Sequence, residues 1–259
     1  MKTFKKITMV NAIIIALFAL TSVAWVGAAQ RKMTEKPVNG KGFVVLELFT
    51  SEGCNSCPPA EDLLEKIDKE VNGRPIYVLS YHVDYFDNLG WKDVFGSPEN
   101  TKRQQKYSNW LKAHVYTPQL VINGTKEFVG SDEREIYRAI EQQLVFKQKA
   151  ELSLSSQKTG NLLKVAYQTK GNEPNEDLVL ALVQKNGRTE VKRGENVGRT
   201  LSHIQIVRNI STISLKDAKS GSANLVIPKS LDTAQWEVTG LLQNRKTGAI
   251  SAVNNIKVI

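Results

Sequence analysis

Leu46-Glu47-Leu48-Phe49-Thr50-Ser51-Glu52-Gly53-Cys54-Asn55-Ser56-Cys57-Pro58-Pro59-Ala60 is the stretch on which the fold turns. A mostly apolar run from Phe43 to Phe49 has the length of a strand and suits a central, buried one. Pro58 stands where the first turn of a helix tolerates proline. Between them lie Cys54 and Cys57, the chain's two cysteines. A bridge across so short a span closes almost no loop, so it adds little by restricting the unfolded chain. Chemistry explains the pair better than stapling. At a strand-to-helix junction the free backbone N–H groups and the helix dipole favour a thiolate. Cys54 is therefore expected to be the nucleophile and the more exposed sulfur. Cys57, one turn on, is expected to resolve the mixed disulfide.

Outward from this point the first half alternates. Ala60, Leu63, Leu64, Ile67 and Val71 mark one helical face that ends at Asn72-Gly73. Ile76 to Tyr81 is a second strand, and Ser97-Pro98-Glu99 opens a second helix with Tyr107, Trp110 and Leu111 on its inner side. Gln119 to Ile122, Asn123-Gly124 and Glu127 to Val129 form a hairpin. Ser131-Asp132-Glu133 starts a last helix with Ile136, Ile140 and Leu144 inside. The order β-α-β-α-β-β-α, with a cysteine pair opening the first helix, predicts a thioredoxin-like α/β domain over residues 42–149. From about Ala150 the chain changes to short apolar runs at Val165, Leu178–Val183, Ile204–Val207, Leu225–Ile227, Trp236–Val238 and Ile250–Val253. Thr169-Lys170-Gly171, Asn186-Gly187, Ser220-Gly221 and Thr247-Gly248 separate them as turns. This predicts a smaller all-β, sandwich-like domain over residues 150–259.

Residues 1–29 have the layout of a secretory signal: Lys2, Lys5 and Lys6, then an apolar stretch, then Gly27-Ala28-Ala29. Cleavage is expected near Ala29. The uncharged run from Ile7 to Gln30 would reach across a bilayer if it were retained, so a membrane enters only in that case. Either outcome leaves the remainder periplasmic or secreted. Removal of the leader leaves 32 basic residues against 26 acidic ones, scattered among each other. This pattern is a solvated surface and argues against nucleic acid as a partner.

Other residues join the cysteines. Thr117-Pro118 before the third strand suits a cis-proline that faces the pair and leaves Thr117 to meet an incoming chain. His82-Val83-Asp84-Tyr85-Phe86-Asp87 follows the second strand, where open α/β sheets place ligands. His82 or Asp84 is placed to move the proton that leaves Cys57, and Asp87 to line the same mouth; the alternative is a strand end whose polar groups are satisfied locally. Glu47, Glu52 and Glu61 put negative charge near Cys54, which opposes a thiolate. Three scattered histidines and two thiols make a poor structural zinc set. A copper(I) site on Cys54, Cys57 and His82 fits soft-ligand chemistry better. The loop Arg193 to Arg199 lacks phosphate-loop spacing and reads as a connection.

The segment Leu46 to Ala60 resembles a family of bacterial secreted proteins with a thioredoxin-like domain, catalogued as domain of unknown function twelve twenty-three. So do His82-Val83-Asp84-Tyr85, Leu89-Gly90-Trp91-Lys92-Asp93, Val115-Tyr116-Thr117-Pro118-Gln119, Phe128-Val129-Gly130-Ser131, and Arg193 through Leu201 with His203. The resemblance implies fold and compartment and says little about substrate. Against thioredoxin proper, Gly53 replaces a tryptophan, Asn55-Ser56 replaces Gly-Pro, and Leu48 falls where a buried aspartate is usual. Glu47 is turned to the opposite face by strand alternation. The leading expectation is an extracytoplasmic thiol–disulfide oxidoreductase with a protein or small thiol or disulfide as substrate and no cofactor. A copper(I) delivery module and a non-catalytic interaction protein are the alternatives.

Overall fold

In the computed structural model, which describes residues 42–215, 219–228 and 232–258, Val44–Thr50 forms strand β1, and every residue of it is buried. The expected leader, residues 1–29, lies outside the described residues. β1 runs parallel to β2 (Ile76–His82), with Val44 opposite Ile76 and Thr50 opposite His82. On its other side β1 pairs antiparallel with β3 (Gln119–Ile122), which turns back into β4 (Lys126–Val129). Helix α1 (Pro58–Lys69) has prolines in its first turn and buries Ala60, Leu63, Leu64 and Ile67. Helix α2 (Pro98–Leu111) is capped by the Ser97 hydroxyl, which accepts from the Asn100 N–H. Helix α3 (Glu133–Leu144) is capped in the same way by Asp132.

Seven strands follow: β5 (Glu151–Thr159), β6 (Leu162–Lys170), β7 (Glu176–Glu190), β8 (Thr200–Ser214), β9 (Ser220–Val226), β10 (Trp236–Asn244) and β11 (Ile250–Lys257). Four of them enlarge the first sheet, whose order is β11-β10-β7-β8-β2-β1-β3-β4. The join is β2 to β8, parallel, with Ser80 opposite Ile206. The Ser80 hydroxyl donates to the Ile204 carbonyl across it at 2.7 Å. β5, β6 and β9 form a separate three-stranded sheet.

The expectation of a thioredoxin-like α/β domain followed by a smaller β-sandwich is therefore corrected. The described residues hold eleven strands and three α-helices, and one mixed sheet runs through both halves. The reason lies in β7. Its run Leu178 to Val183 is apolar at every position and needs cover on both faces. Leu178, Leu180 and Leu182 pack against Leu152, Leu163, Val165 and Leu225 of the small sheet. Val179, Ala181 and Val183 share a second core with Val45, Phe49, Leu79, Tyr81 and Tyr107. That second core contains residues from both halves. A free-standing sandwich would leave one side of β7 in water.

Two of the expected turns are also corrected. Asn186-Gly187 and Ser220-Gly221 lie inside strands β7 and β9. There the glycines admit neighbouring rings. A Cβ on Gly187 would lie 2.7 Å from the Phe95 ring, and one on Gly221 would lie 2.6 Å from the Tyr167 hydroxyl. Among the described residues no helix is long and apolar enough to cross a membrane.

Candidate functional site

β1 ends at Thr50, and the chain loops through Ser51–Ser56 before α1 begins. Cys54 and Cys57 are joined in a disulfide with Cα atoms 5.5 Å apart. Cys57 is the residue that caps α1, and its carbonyl accepts from the N–H groups of Ala60 and Glu61. Cys54 sits in the preceding turn, its N–H donating to the Ser51 carbonyl at 3.1 Å. Both cysteines are buried, at 2 % and 0 % exposure, so burial does not separate the expected nucleophile from its partner. Asn55 and Ser56, between them, are exposed.

Residues distant in sequence hold this loop. Asp93 Oδ2 accepts from the Glu52 N–H at 2.8 Å. Asn196 Nδ2 donates to the carbonyls of Glu52 and Cys54, both at 2.9 Å. Glu195 accepts from the Asn55 N–H at 3.1 Å. The segment Arg193 to Arg199, expected to be a plain connection, is thus the clamp on the cysteine loop.

Under the loop lies a buried cluster of imidazoles and carboxyls. Three adjacent strands contribute: His203 from β8, His82 from the end of β2, and Glu52 just past β1. Glu61 comes from α1. His203 Nδ1 is 2.5 Å from Glu61 Oε2, and its Nε2 is 3.2 Å from Glu52 Oε1. Glu61 also accepts from the Thr50 hydroxyl, and Glu52 from the Trp91 indole N–H. His82 Nδ1 is 2.7 Å from Asp93 Oδ2, both side chains fully buried. The two imidazoles cross nearly at right angles with centroids 4.7 Å apart, and Phe95 packs its ring against each at 5.3 Å. Gly187 leaves the room for Phe95.

The electrostatics follow from this packing. Burial opposes charge on His203, but its hydrogen bonds to Glu52 and Glu61 outweigh that and push its pKa up to about 10. Burial likewise raises the Glu61 carboxyl, yet the bond to His203 prevails and holds it below its ordinary value. Asp93 is lowered in the same way: burial is outweighed by His82 and by the N–H groups of Glu52 and Phe95. Glu52 and Glu61, which the sequence sets against Cys54, are both paired with His203. Glu47 points to the opposite face and is bound by Arg103.

The remaining expected residues divide. The Thr117–Pro118 bond is cis. A Cβ on Gly130 would lie 3.1 Å from Pro118 Cβ and 3.0 Å from Ala60 Cβ, which sets Pro118 beside the first turn of α1. The Thr117 hydroxyl is buried without a hydrogen-bond partner among the described residues. Asp84 is turned away toward α2, where the Thr101 hydroxyl donates to it at 2.5 Å. Asp87 accepts from the Asp93 N–H at 3.1 Å, and burial raises its carboxyl. Of the acidic loop, His82 alone reaches the buried cluster directly. Asp93 and His203 carry most of its hydrogen bonding, and the sequence marked both only through the family resemblance, without a role.

The fold and site together define a class: a protein of one eight-stranded mixed sheet with a short-span disulfide clamped above a buried histidine–carboxylate cluster. The family model described as "Protein of unknown function (DUF1223)" matches residues 45–243, and the chain belongs to that family. A crystal structure of an Agrobacterium tumefaciens protein is similar at 31% identity and a TM-score of 0.63, covering 84% of this chain and 94% of its own. HBP35 of Porphyromonas gingivalis is similar in fold, with a TM-score of 0.62 at 13% identity over 86% of this chain and 77% of its own. No curated protein matches the chain.

Proposed function

We propose that the protein is an extracytoplasmic thiol–disulfide oxidoreductase acting through Cys54 and Cys57. One observation carries the reading: the chain's two cysteines are bonded to each other across two residues at the head of a helix. Such a bridge closes too short a loop to contribute much as a staple. In the oxidising direction a substrate thiolate attacks one sulfur, the Cys54–Cys57 bond breaks, and a mixed disulfide forms. A second substrate thiolate then displaces the protein sulfur. The substrate leaves as a disulfide, and its two thiol protons end on Cys54 and Cys57. The reducing direction is the reverse. Because both cysteines are buried, attack requires the loop at exposed Asn55 and Ser56 to yield to the incoming chain. The secretory layout of residues 1–29 and the disulfide itself support a periplasmic or secreted setting.

Trapping tests the reading. Cys57→Ser is expected to accumulate mixed disulfides when its Cys54 thiolate attacks a disulfide substrate and releases one substrate thiol, and Cys54→Ser almost none. A redox titration of the wild type against glutathione then gives direction: about −120 mV marks an oxidant and about −270 mV a reductant. A pair that exchanges with neither glutathione nor a peptide dithiol, while the reduced protein holds copper(I) stoichiometrically, would replace exchange by metal delivery.

A further inference from the structure

We propose that Glu61, His82 and His203 form a zinc site beneath the cysteine loop. One possible ligand atom from each lies within 4.8 Å of the others. Two imidazoles and one carboxylate are the donor set that binds zinc with a fourth position left for water or a substrate group. The disulfide takes no part, so the site stands apart from the proposed exchange chemistry.

The hydrogen bonding around the three residues points the same way. A histidine that ligates a metal almost always gives its other ring nitrogen to a carboxylate, a carbonyl or water, which fixes the ring. Both imidazoles meet that condition. His82 is held at Nδ1 by Asp93, and His203 at Nε2 by Glu52. The nitrogens left over are His82 Nε2 and His203 Nδ1. His82 Nε2 is completely buried and has no hydrogen-bond partner among the described residues. A buried polar atom of that kind costs about 1–3 kcal/mol unless something satisfies it. His203 Nδ1 faces Glu61 Oε2 at 2.5 Å, so zinc entering there replaces the hydrogen held between them and releases it to solvent as a proton. Glu61 keeps its second oxygen on the Thr50 hydroxyl, which orients the carboxylate as Asp93 and Glu52 orient the rings. Three carboxyl groups gathered about two imidazoles also favour a divalent cation. Phe95 packs its ring against both imidazoles, at 5.3 Å from each.

The test uses the full chain with its disulfide intact, stripped by a chelator and titrated with zinc sulfate against a zinc indicator at pH 8. One equivalent is expected to bind. In the same wild-type sample the imidazole C–H resonances of His82 and His203 are expected to shift while those of His114 stay. His82→Ala and Glu61→Gln are each expected to weaken binding more than 100-fold, and Asp93→Asn, which acts through His82, about 10- to 100-fold. Failure of the wild type to bind one equivalent overturns the proposal whether or not any variant folds. So does binding that shifts His114 alone or survives His82→Ala unchanged. Because the cysteines remain oxidised throughout, none of these outcomes bears on disulfide exchange.

Discussion

Two buried charge clusters sit on opposite faces of the same sheet, and they are finished differently. On the α2 face Arg103 donates to Glu47 from Nε at 2.7 Å, to Gln243 from Nη1 at 3.1 Å and to the Tyr107 hydroxyl from Nη2 at 3.1 Å. The Tyr107 hydroxyl donates in turn to Glu47, and Gln243 Nε2 donates to Tyr107 and to the Gly248 carbonyl. The guanidinium lies 5.2 Å from the ring centroids of Tyr81 and Tyr107. One cation meets one carboxylate, and every guanidinium nitrogen has a partner. That cluster ties β1, α2 and β10 together. On the α1 face three carboxyls meet two histidines, and His82 Nε2 has no partner among the described residues. The closed cluster joins the halves of the molecule; the open one stands under the only cysteines. The Tyr81 hydroxyl on the α2 face also lacks a partner among the described residues, but it stands beside a paired cation. The unpartnered His82 nitrogen stands among imidazole and carboxyl groups that can ligate a metal, and that difference calls for a functional explanation.

Breaking the closed cluster has the largest expected effect. Arg103→Met leaves the Glu47 carboxylate buried without its cation, a change that costs about 3–5 kcal/mol. Denaturant unfolding is expected to show that loss. Adding Glu47→Leu to Arg103→Met is expected to recover most of it, since removing both charges is often close to neutral. A loss below about 1 kcal/mol in the single variant would mean that the pair does not join the halves.

The open cluster is expected to respond less, and with pH. Replacing His203 by Gln removes hydrogen bonds to two carboxyls, a loss of about 2–3 kcal/mol. In the folded protein His203 keeps its proton up to about pH 10 against 6.5 when free. The folded state therefore binds that proton more tightly than the unfolded chain. The stabilisation from His203 is complete below pH 6.5 and is lost as pH rises toward 10. Glu61 and Asp93 are lowered, so their stabilisation is present above the ordinary carboxylate range and is lost as pH falls through it. With a chelator present, the gap in unfolding free energy between wild type and His203→Gln is expected to narrow steadily between pH 6.5 and 10. A gap that stays constant over that interval would show that His203 is not held charged by Glu52 and Glu61.

What the sequence made legible follows the range of its signals. β1, the cysteine turn and the prolines of α1 are written within sixteen consecutive residues, Val44 to Pro59. The Asn123-Gly124 turn and the Ser97 cap are equally local, and so are the apolar runs that became β6, β7, β8, β10 and β11. The site beneath the loop is not local. His203 meets Glu61 across 142 positions, and Asn196 meets Cys54 across the same number. Both contacts exist because β8 lies beside β2, a pairing that no short motif announces. The same pairing defeated the two-domain reading, since apolar runs fix burial but not which edge a strand joins. Asn186-Gly187 misled for a related reason: glycine serves turns and close packing alike, and Phe95 is 92 positions away from the pair it approaches. His82 was found by its place after a strand, whereas its partner Asp93 entered only through the family resemblance and was assigned no role.

The smallest expected effect on stability comes from the clamp that links the open cluster to the disulfide. Asn196 donates to Glu52 and Cys54 and accepts from Arg199 at 3.0 Å. Asn196→Ala deletes two bonds to carbonyls in a loop whose neighbours Asn55 and Ser56 already meet water. Once loosened, those carbonyls can find solvent, so the loss should fall near 1 kcal/mol, the low end for a deleted hydrogen bond. The charge cluster should be unaffected, because Asp93 still holds the Glu52 N–H and His203 still holds both glutamates. Access to the disulfide should change more than stability does. A reductant must reach sulfurs that are buried in the closed loop, so the rate of reduction follows the population of loop-open molecules. A shift of about 1.4 kcal/mol in that opening is a tenfold change in population. Asn196→Ala is accordingly expected to speed reduction by dithiothreitol several-fold, read by timed alkylation and mass spectrometry, while Arg103→Met, which weakens the far face, speeds it only in proportion to global unfolding. If Asn196→Ala leaves the reduction rate unchanged, or if both variants accelerate it equally at matched stability, then the loop is not gated by the Arg193–Arg199 segment, and the disulfide opens only when the whole sheet does.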